Sequence, residues 1–255
     1  MNTRVKLSAF VITYNEIDHI AACIKSISFA DEIVVVDAYS TDGTWEFLTA
    51  HPKVHAIQHP FENFTAQKSF ALSKVSHPWV LCIDADERIT ETLCTEITAT
   101  INQSETCEAY YFYRQFMMNG KPLKFSGLQT DKVYRLFKRE AAFFDQERVV
   151  HENLIVQGTS CILKHKLIHH FYKDYTTYKN KMLRYGRLRG VEEHKKAIQP
   201  NGFHRYIKPL YKFLNHYIIR LGILDGKNGY IIAYLNALSV YERYREVRRL
   251  QNRTT

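Results

Sequence analysis

Asp84 and Asp86, one residue apart in "LCIDADERIT" (81–90), close an apolar run and are followed at once by Glu87. Alternate carboxylates at the mouth of a strand can share a hard divalent ion, Mg²⁺ or Mn²⁺, that would otherwise hold a diphosphate. The same residues also suit a solvated loop that leads into a helix, because acidic groups are favoured near helix N-termini. The Asp-x-Asp spacing alone leaves both readings open.

The elements that must carry these carboxylates can be read from the first hundred residues. "KLSAFVIT" (6–13), "EIVVVD" (32–37), "KVHAI" (53–57) and "WVLCID" (79–84) are apolar, mostly β-branched runs of strand length. Between them lie helical patterns: from about Glu16, with Ile17, Ile20, Ala21, Ile24 and Ile27 on one face; from about Gly43 to Ala50, with Ser40 or Thr41 as N-cap; and "NFTAQKSFALSKV". "TETLCTEITATI" adds a further helix. Strand and helix in alternation predict a parallel sheet covered on both faces, whose ligands gather beyond the carboxyl ends of the strands. Three such ends carry polar clusters, "TYNE" (13–16), "DAYSTDGT" (37–44) and "DADE" (84–87), and should line one rim.

After residue 105 the pattern changes. "EAYYFYRQF" and "KVYRLFKRE" read as strands with "MNGK" (118–121) as a turn, "VVHENLIVQG" as an extended piece, and helical spacing resumes from about Tyr172. The expected division is an α/β domain over 1–170, with halves at 1–105 and 106–170, followed by a basic helical region over 171–255.

The whole-chain numbers fit an ordinary globular protein of 255 residues with 45% hydrophobic content. Five cysteines, with no CxxC pair, suggest neither a disulfide framework nor a zinc knuckle, so a reducing cytosol is expected. The first residues lack a secretory signal, and no window is long and apolar enough to span a bilayer. The net charge of +9 is unevenly spread: residues 1–160 hold 15 Lys and Arg against 20 Asp and Glu, whereas 161–255 hold 20 against 6. Such segregation suggests two surfaces with different partners rather than a specific nucleic-acid binder.

The run "FVITYNEIDHIAACIKSISFADEIVVVDAYSTDGT", with "AQKSFAL" and "WVLCIDADERIT", closely resembles the nucleotide-sugar-binding half of inverting family 2 glycosyltransferases of the GT-A fold. "VYRLFKRE", "VVHENL", "LIHHFYKDY", "KPLYKFLNHYIIRLGILDGKNG" and "LNALSVYERY" resemble the branch of bacterial lipopolysaccharide inner-core β-1,4-glucosyltransferases. The resemblance implies an α/β, GT-A type, mostly parallel sheet flanked by helices. It implies that Thr13, Tyr14, Asn15 and Glu16 line a uridine pocket, with Asp37 on the base or ribose and Lys68 on the diphosphate side. Asp84 would face ribose or metal, and Asp86 would be the direct metal ligand. The chain departs from many members after the second strand, where Asp37, Ala38 and Tyr39 replace Asp-Asp or Asp-Ser-Gly. A carboxylate and backbone amides can bond a uracil's imide and carbonyls, and Tyr14 can stack on its face.

Glycosyl transfer also needs a base to take the acceptor hydroxyl's proton, which contributes roughly a hundred- to ten-thousand-fold. Glu152 in "VVHENL" matches the family's His-Glu pair, with His151 orienting it or touching the acceptor; Asp145 and Glu147 are rivals, and an ion pair with Arg148 is the structural alternative. His169 aligns with a family histidine that would complete the metal shell or touch the β-phosphate, whereas His170 reads as a packed or surface imidazole. Arg135 would neutralise phosphate or steady the loop that holds the base.

In "FHRYIKPLYKFLNHYIIRLGIL", Lys208, Lys212, His216 and Arg220 recur every four residues on a face distinct from Tyr206, Leu210, Phe213, Leu214, Tyr217 and Leu221. No Asp or Glu interrupts from His194 to Leu224, so the basic stripe is expected to meet an anionic surface. "LDGKNG" (224–229) should break the helix, with Asp225 capping a last helix over about 230–249 that docks on the sheet through Ile231, Leu235 and Leu238. The functional expectation is an enzyme on the cytoplasmic face of the inner membrane that moves glucose from UDP-glucose to a heptose of a lipid-linked core oligosaccharide. Another UDP-sugar or acceptor on the same fold, and a basic RNA-binding or scaffold protein, are the alternatives.

Overall fold

The computed structural model describes residues 4–128, 130–145, 154–172 and 175–254. The chain forms two compact units, residues 1–114 with 132–169 and residues 115–131 with 170–255.

The first unit opens with β1 (Leu7–Thr13), α1 (Ile17–Ser26), β2 (Glu32–Asp37), α2 (Thr44–Ala50), β3 (His55–Gln58), α3 (Phe64–Ser73) and β4 (Trp79–Asp84). β2 and β4 flank β1, and both run parallel to it. Side chains alternate across the pleat. Leu7, Ala9 and Val11 meet Ile20, Cys23 and Ile24 of α1, and the same cluster takes in Leu93 and Ile97 of α4 (Glu91–Ile101). Phe10, Val34 and Val36 face the other way, onto Ala71 and Val75 at and beyond the end of α3. Burying one such side chain fully contributes about 1.5–3 kcal/mol, so both faces of this sheet hold the unit together.

The two-residue β5 (Glu87–Arg88) follows β4, and then come β6 (Ala109–Met118), β7 (Lys121–Pro122), β8 (Lys132–Lys138), β9 (Ala142–Phe144), β10 (Leu154–Val156), β11 (Ser160–Ile162) and β12 (Leu167–Tyr172). The sheet order is β3-β2-β1-β4-β8-β6-β12-β5. It is parallel through β1 to β4 and turns antiparallel where β8 joins β4 and β6 joins β8. This mixed sheet is a GT-A fold with its parallel half at the N-terminus, as expected. Asn119 and Gly120, both at positive φ, make the turn between β6 and β7 that "MNGK" predicted.

Two local expectations are corrected. The N-cap of α2 is Gly43, not Ser40 or Thr41, and the carboxylate of Asp42 just before it accepts from the Thr44 amide at 3.1 Å and from the Ile17 amide at 3.1 Å, joining two helix starts. A single disulfide, Cys107 to Cys161, forms where none was expected, because β11 lies parallel to β6 and sets Cys161 opposite Tyr110.

The second unit contains α5 (Tyr175–Lys195), α6 (Lys208–Leu214) and α7 (Gly226–Thr254). π-helical turns at Phe203–Ile207 and Asn215–Ile219 flank α6. Ile231, Ile232, Leu235 and Leu238 of α7 pack with Phe116 and Met118 of β6, so the docking residues foreseen for the last helix do meet the sheet. The helix begins earlier than expected, and Asp225 does not cap it. Its carboxylate instead accepts from the amides of Lys124 at 2.9 Å and Phe125 at 3.0 Å.

Candidate active site

The register of the first unit brings the three polar strand ends side by side. Thr13 of β1 pairs with Asp37 of β2, and Ile12 pairs with Asp84 of β4. Leaving β1, the chain turns sharply at Asn15, whose φ of 54° lies in the left-handed region that asparagine tolerates better than most residues. The Asn15 amide donates to Ser40 Oγ at 2.8 Å, and its side-chain oxygen accepts from the Thr41 amide at 2.8 Å. The Glu16 amide donates to Thr44 Oγ1 at 3.0 Å. These bonds clip the loop after β1 to the loop after β2.

Asp37, expected on the base or ribose, is wholly buried. One carboxylate oxygen accepts from the Ser40 amide at 2.9 Å and the other from the Ser40 hydroxyl, which holds the loop after β2. Two aromatic side chains on this part of the rim are exposed, Tyr14 by 59% and Tyr39 by 52%.

At the end of β4 the two aspartates have different surroundings. Asp84 is already paired: Lys68 Nζ of α3 lies 3.0 Å from Oδ1, and the Arg135 guanidinium of β8 is bonded to Oδ2. Burial pushes the Asp84 carboxyl up, but Arg135 and Lys68 outweigh it and hold the group far below the usual carboxylate range. Arg135 is itself buried. Burial would lower its pKa, yet Asp84 and Glu87 keep it well above the ordinary value and the charge fixed. Lys68 and Arg135, read from the sequence as phosphate-side groups, are thus both bound to the acidic edge.

Asp86 is differently placed. Its side chain is partly exposed, and its Oδ2 lies 3.1 Å from His169 Nε2. β12 runs antiparallel to β5 with His169 opposite Glu87, which carries the imidazole to the Asp86 side of the motif. One carboxylate and one imidazole form a mixed O and N donor pair that suits Mn²⁺ and, less well, Mg²⁺. Two protein donors also match ions that keep the rest of their coordination for water and substrate phosphates. Among the described residues no group of three or more His, Cys, Asp or Glu side chains is gathered to hold a metal by itself.

Glu87 was not singled out by the sequence, yet it has no exposed surface and ties the motif together. Its Oε2 accepts from the Asp84 amide at 3.1 Å, its Oε1 accepts from Arg135 at 2.7 Å, and Arg114 stands 3.8 Å from Oε1. Its place directly after Asp-x-Asp was a signal that sequence reading could have used. The expected base, Glu152, with His151 and the rival Glu147, lies outside the described residues; Asp145 directly follows β9.

With this geometry in hand, comparison with known proteins identifies the family. The profile of glycosyl transferase family 2 matches residues 8–171, which include every described candidate group. The chain belongs to glycosyl transferase family 2. It is therefore a transferase, and the RNA-binding and scaffold alternatives fall away. It is 26% identical to the lipopolysaccharide core biosynthesis glycosyltransferase LpsC of Rhizobium meliloti, over 96% of this chain and 95% of that protein. It is 28% identical to an uncharacterized glycosyltransferase of Rickettsia prowazekii, over 96% and 87% respectively. Among solved structures, S. aureus TarS residues 1–349 in complex with UDP-GlcNAc superposes with a TM-score of 0.50 at 16% identity, covering 97% of this chain and 92% of that one. That likeness is one of fold.

Proposed function

We propose that this family 2 enzyme transfers glucose, with inversion, from UDP-glucose to a heptose of a lipid-linked lipopolysaccharide core on the cytoplasmic face of the inner membrane. Full-length similarity to LpsC supports the core-oligosaccharide acceptor. The observation that carries the reading is the division of labour at the end of β4, where Asp84 is neutralised by Lys68 and Arg135 while Asp86 stands with His169.

Tyr14 and Tyr39 offer exposed ring faces on which a uracil can stack. Thr13, Asn15 and Glu16 shape the pocket wall, and Asp37 acts through Ser40 by keeping that wall closed. Asp86 and His169 would hold a divalent cation, whose charge would offset the negative charge that gathers on a departing diphosphate. Lys68 and Arg135 keep Asp84 ionised and in one orientation beside that charge. Glu152 would take the acceptor hydroxyl's proton on the face opposite the leaving group, with His151 orienting it.

The test is mass spectrometry of lipid-linked core from cells with and without the gene. Loss of one hexose at a heptose upholds the reading, and a core of unchanged mass overturns it. Loss of a different sugar keeps the fold's chemistry but replaces the donor.

A further inference from the structure

Of the basic stripe of residues 208–220, Lys208 and Lys212 are half-buried and His216 is buried, while Arg220 at its end is exposed. Lys208 Nζ donates to Tyr244 OH of α7 at 2.8 Å, Arg205 reaches Tyr241 OH at 3.4 Å, and His216 is buried against the Ser126 carbonyl. The rod turns apolar groups outward instead. Phe203, Ile207, Leu210, Leu214 and Ile218, three or four residues apart, are each between 38% and 55% exposed. At the turn that follows, Ile219, Ile223 and Leu224 are 66%, 52% and 63% exposed. Single exposed apolar residues need no explanation, but a helical face of them together with the adjoining turn does.

Two further observations indicate what covers this face. Phe213, Tyr217 and Tyr230 form a cluster with centroids 5.3–6.0 Å apart, and Tyr234 extends it, 6.3 Å from Tyr230. Aromatic rings of this kind favour the headgroup level of a bilayer, where one end is apolar and the other wet. The exposed charges beside the turn, Arg220 and Lys227, are cationic, and no acid occurs from 194 to 224. A second copy of the chain would bring like charge onto like; an anionic lipid surface complements it. No helix of the described residues is long and apolar enough to cross a membrane.

We infer that the outward face of residues 203–224 is a bilayer-insertion surface. Its apolar side chains enter the boundary between headgroups and acyl chains, roughly 5–10 Å deep, while Arg220 and Lys227 meet anionic headgroups. This deepens the lipid-linked-acceptor reading and rests on it, but replaces adhesion by a basic stripe with insertion of an apolar one.

The experiment is flotation of the full chain with phosphatidylethanolamine and phosphatidylglycerol vesicles at low salt and at about 1 M salt, where the screening length falls to about 3 Å. The protein should float in both, and a Leu210→Asp, Ile218→Asp double variant should partition about tenfold less or worse. Its UDP binding without vesicles should be unchanged. Flotation only at low salt, equal flotation of the double variant, or a salt-resistant dimer dispersed by the double substitution would overturn the inference. Should the double variant not fold, Ile219→Trp serves instead: added emission that brominated acyl chains fail to quench overturns the inference. Absence of UDP binding by the unaltered protein would sink the proposed function and leave the vesicle result standing.

Discussion

Glu87 receives the Arg135 guanidinium at 2.7 Å while its other oxygen accepts the Asp84 amide at 3.1 Å, so one buried carboxylate fixes both the cation and the backbone of the Asp-x-Asp motif. Breaking a buried pair by removing one partner costs about 3–5 kcal/mol, because the remaining charge is stranded. Arg135→Met should therefore lower the thermal midpoint by roughly 10 °C. Glu87→Gln, which keeps the acceptor and loses the charge, should cost less. The Glu87→Gln, Arg135→Met double variant should lose less than the two singles added together; strict additivity in calorimetry would show that the groups do not act as a unit.

Asp84 and Asp86 should separate in mutagenesis although they are alike in sequence. Asp86→Asn leaves the Lys68 and Arg135 pairing untouched, so the midpoint should hold while Mn²⁺ ceases to strengthen UDP binding in titration calorimetry. Asp84→Asn leaves two cations facing a neutral amide and should destabilise the protein measurably. Equal metal dependence in Asp86→Asn and the unaltered protein would remove Asp86 from metal binding.

Glu152→Gln tests the proposed base independently of the rim. The substitution removes proton acceptance and keeps the size of the side chain, so UDP affinity should be retained while transfer falls by about a hundredfold or more. Joint loss of UDP affinity and transfer would assign Glu152 a structural role.

The parallel half of the fold was legible because β-branched runs and helical spacing alternate cleanly, and β2 and β4 match their expected spans. The carboxylates were legible too, and the resemblance set His169 beside Asp86 in one metal shell, but the pairing of Asp84 with Lys68 and Arg135 was not legible. Arg135 lies 51 residues from Asp84 and His169 lies 83 from Asp86, distances closed only by sheet pairing. The direction of the basic stripe was hidden for another reason. Both faces of residues 203–224 have helical spacing, and the stems and charges of Lys208 and Arg205 find tyrosines on α7, which a pattern of polar and apolar letters does not reveal. Nor does the sequence show that residues 115–131 group with the C-terminal helices.

His216 gives a pH dependence separate from the acidic rim. Its Nδ1 donates to the Ser126 carbonyl at 2.9 Å, and among the described residues its buried Nε2 has no hydrogen-bond partner. Burial, reinforced by Lys212 and Arg220, pushes its pKa down to about 4. The unfolded chain, with an ordinary imidazole near 6.5, then binds more protons than the folded one between these values. Stability is full above about pH 6.5 and declines as the pH falls towards 4. Urea midpoints should follow that slope, and His216→Gln should flatten it; an unchanged slope would assign it to other groups.

Close approach of α5 to α7 depends on two glycines. A Cβ on Gly186 would stand 2.5 Å from the Ser239 carbonyl oxygen, and one on Gly190 would stand 2.7 Å from that of Arg243. These obstacles are backbone atoms of the facing helix, which cannot turn aside as a flexible side chain would. Gly186→Ala and Gly190→Ala should each cost about 1–3 kcal/mol by overpacking, despite alanine's better helix propensity. Gly202 has right-handed helical angles and, among the described residues, nothing within 4 Å of its added Cβ, so Gly202→Ala should stabilise by about 0.4–1 kcal/mol through the unfolded state. Urea denaturation of the three variants checks the contrast, and equal effects at all three positions would mean that the helices are not in backbone contact.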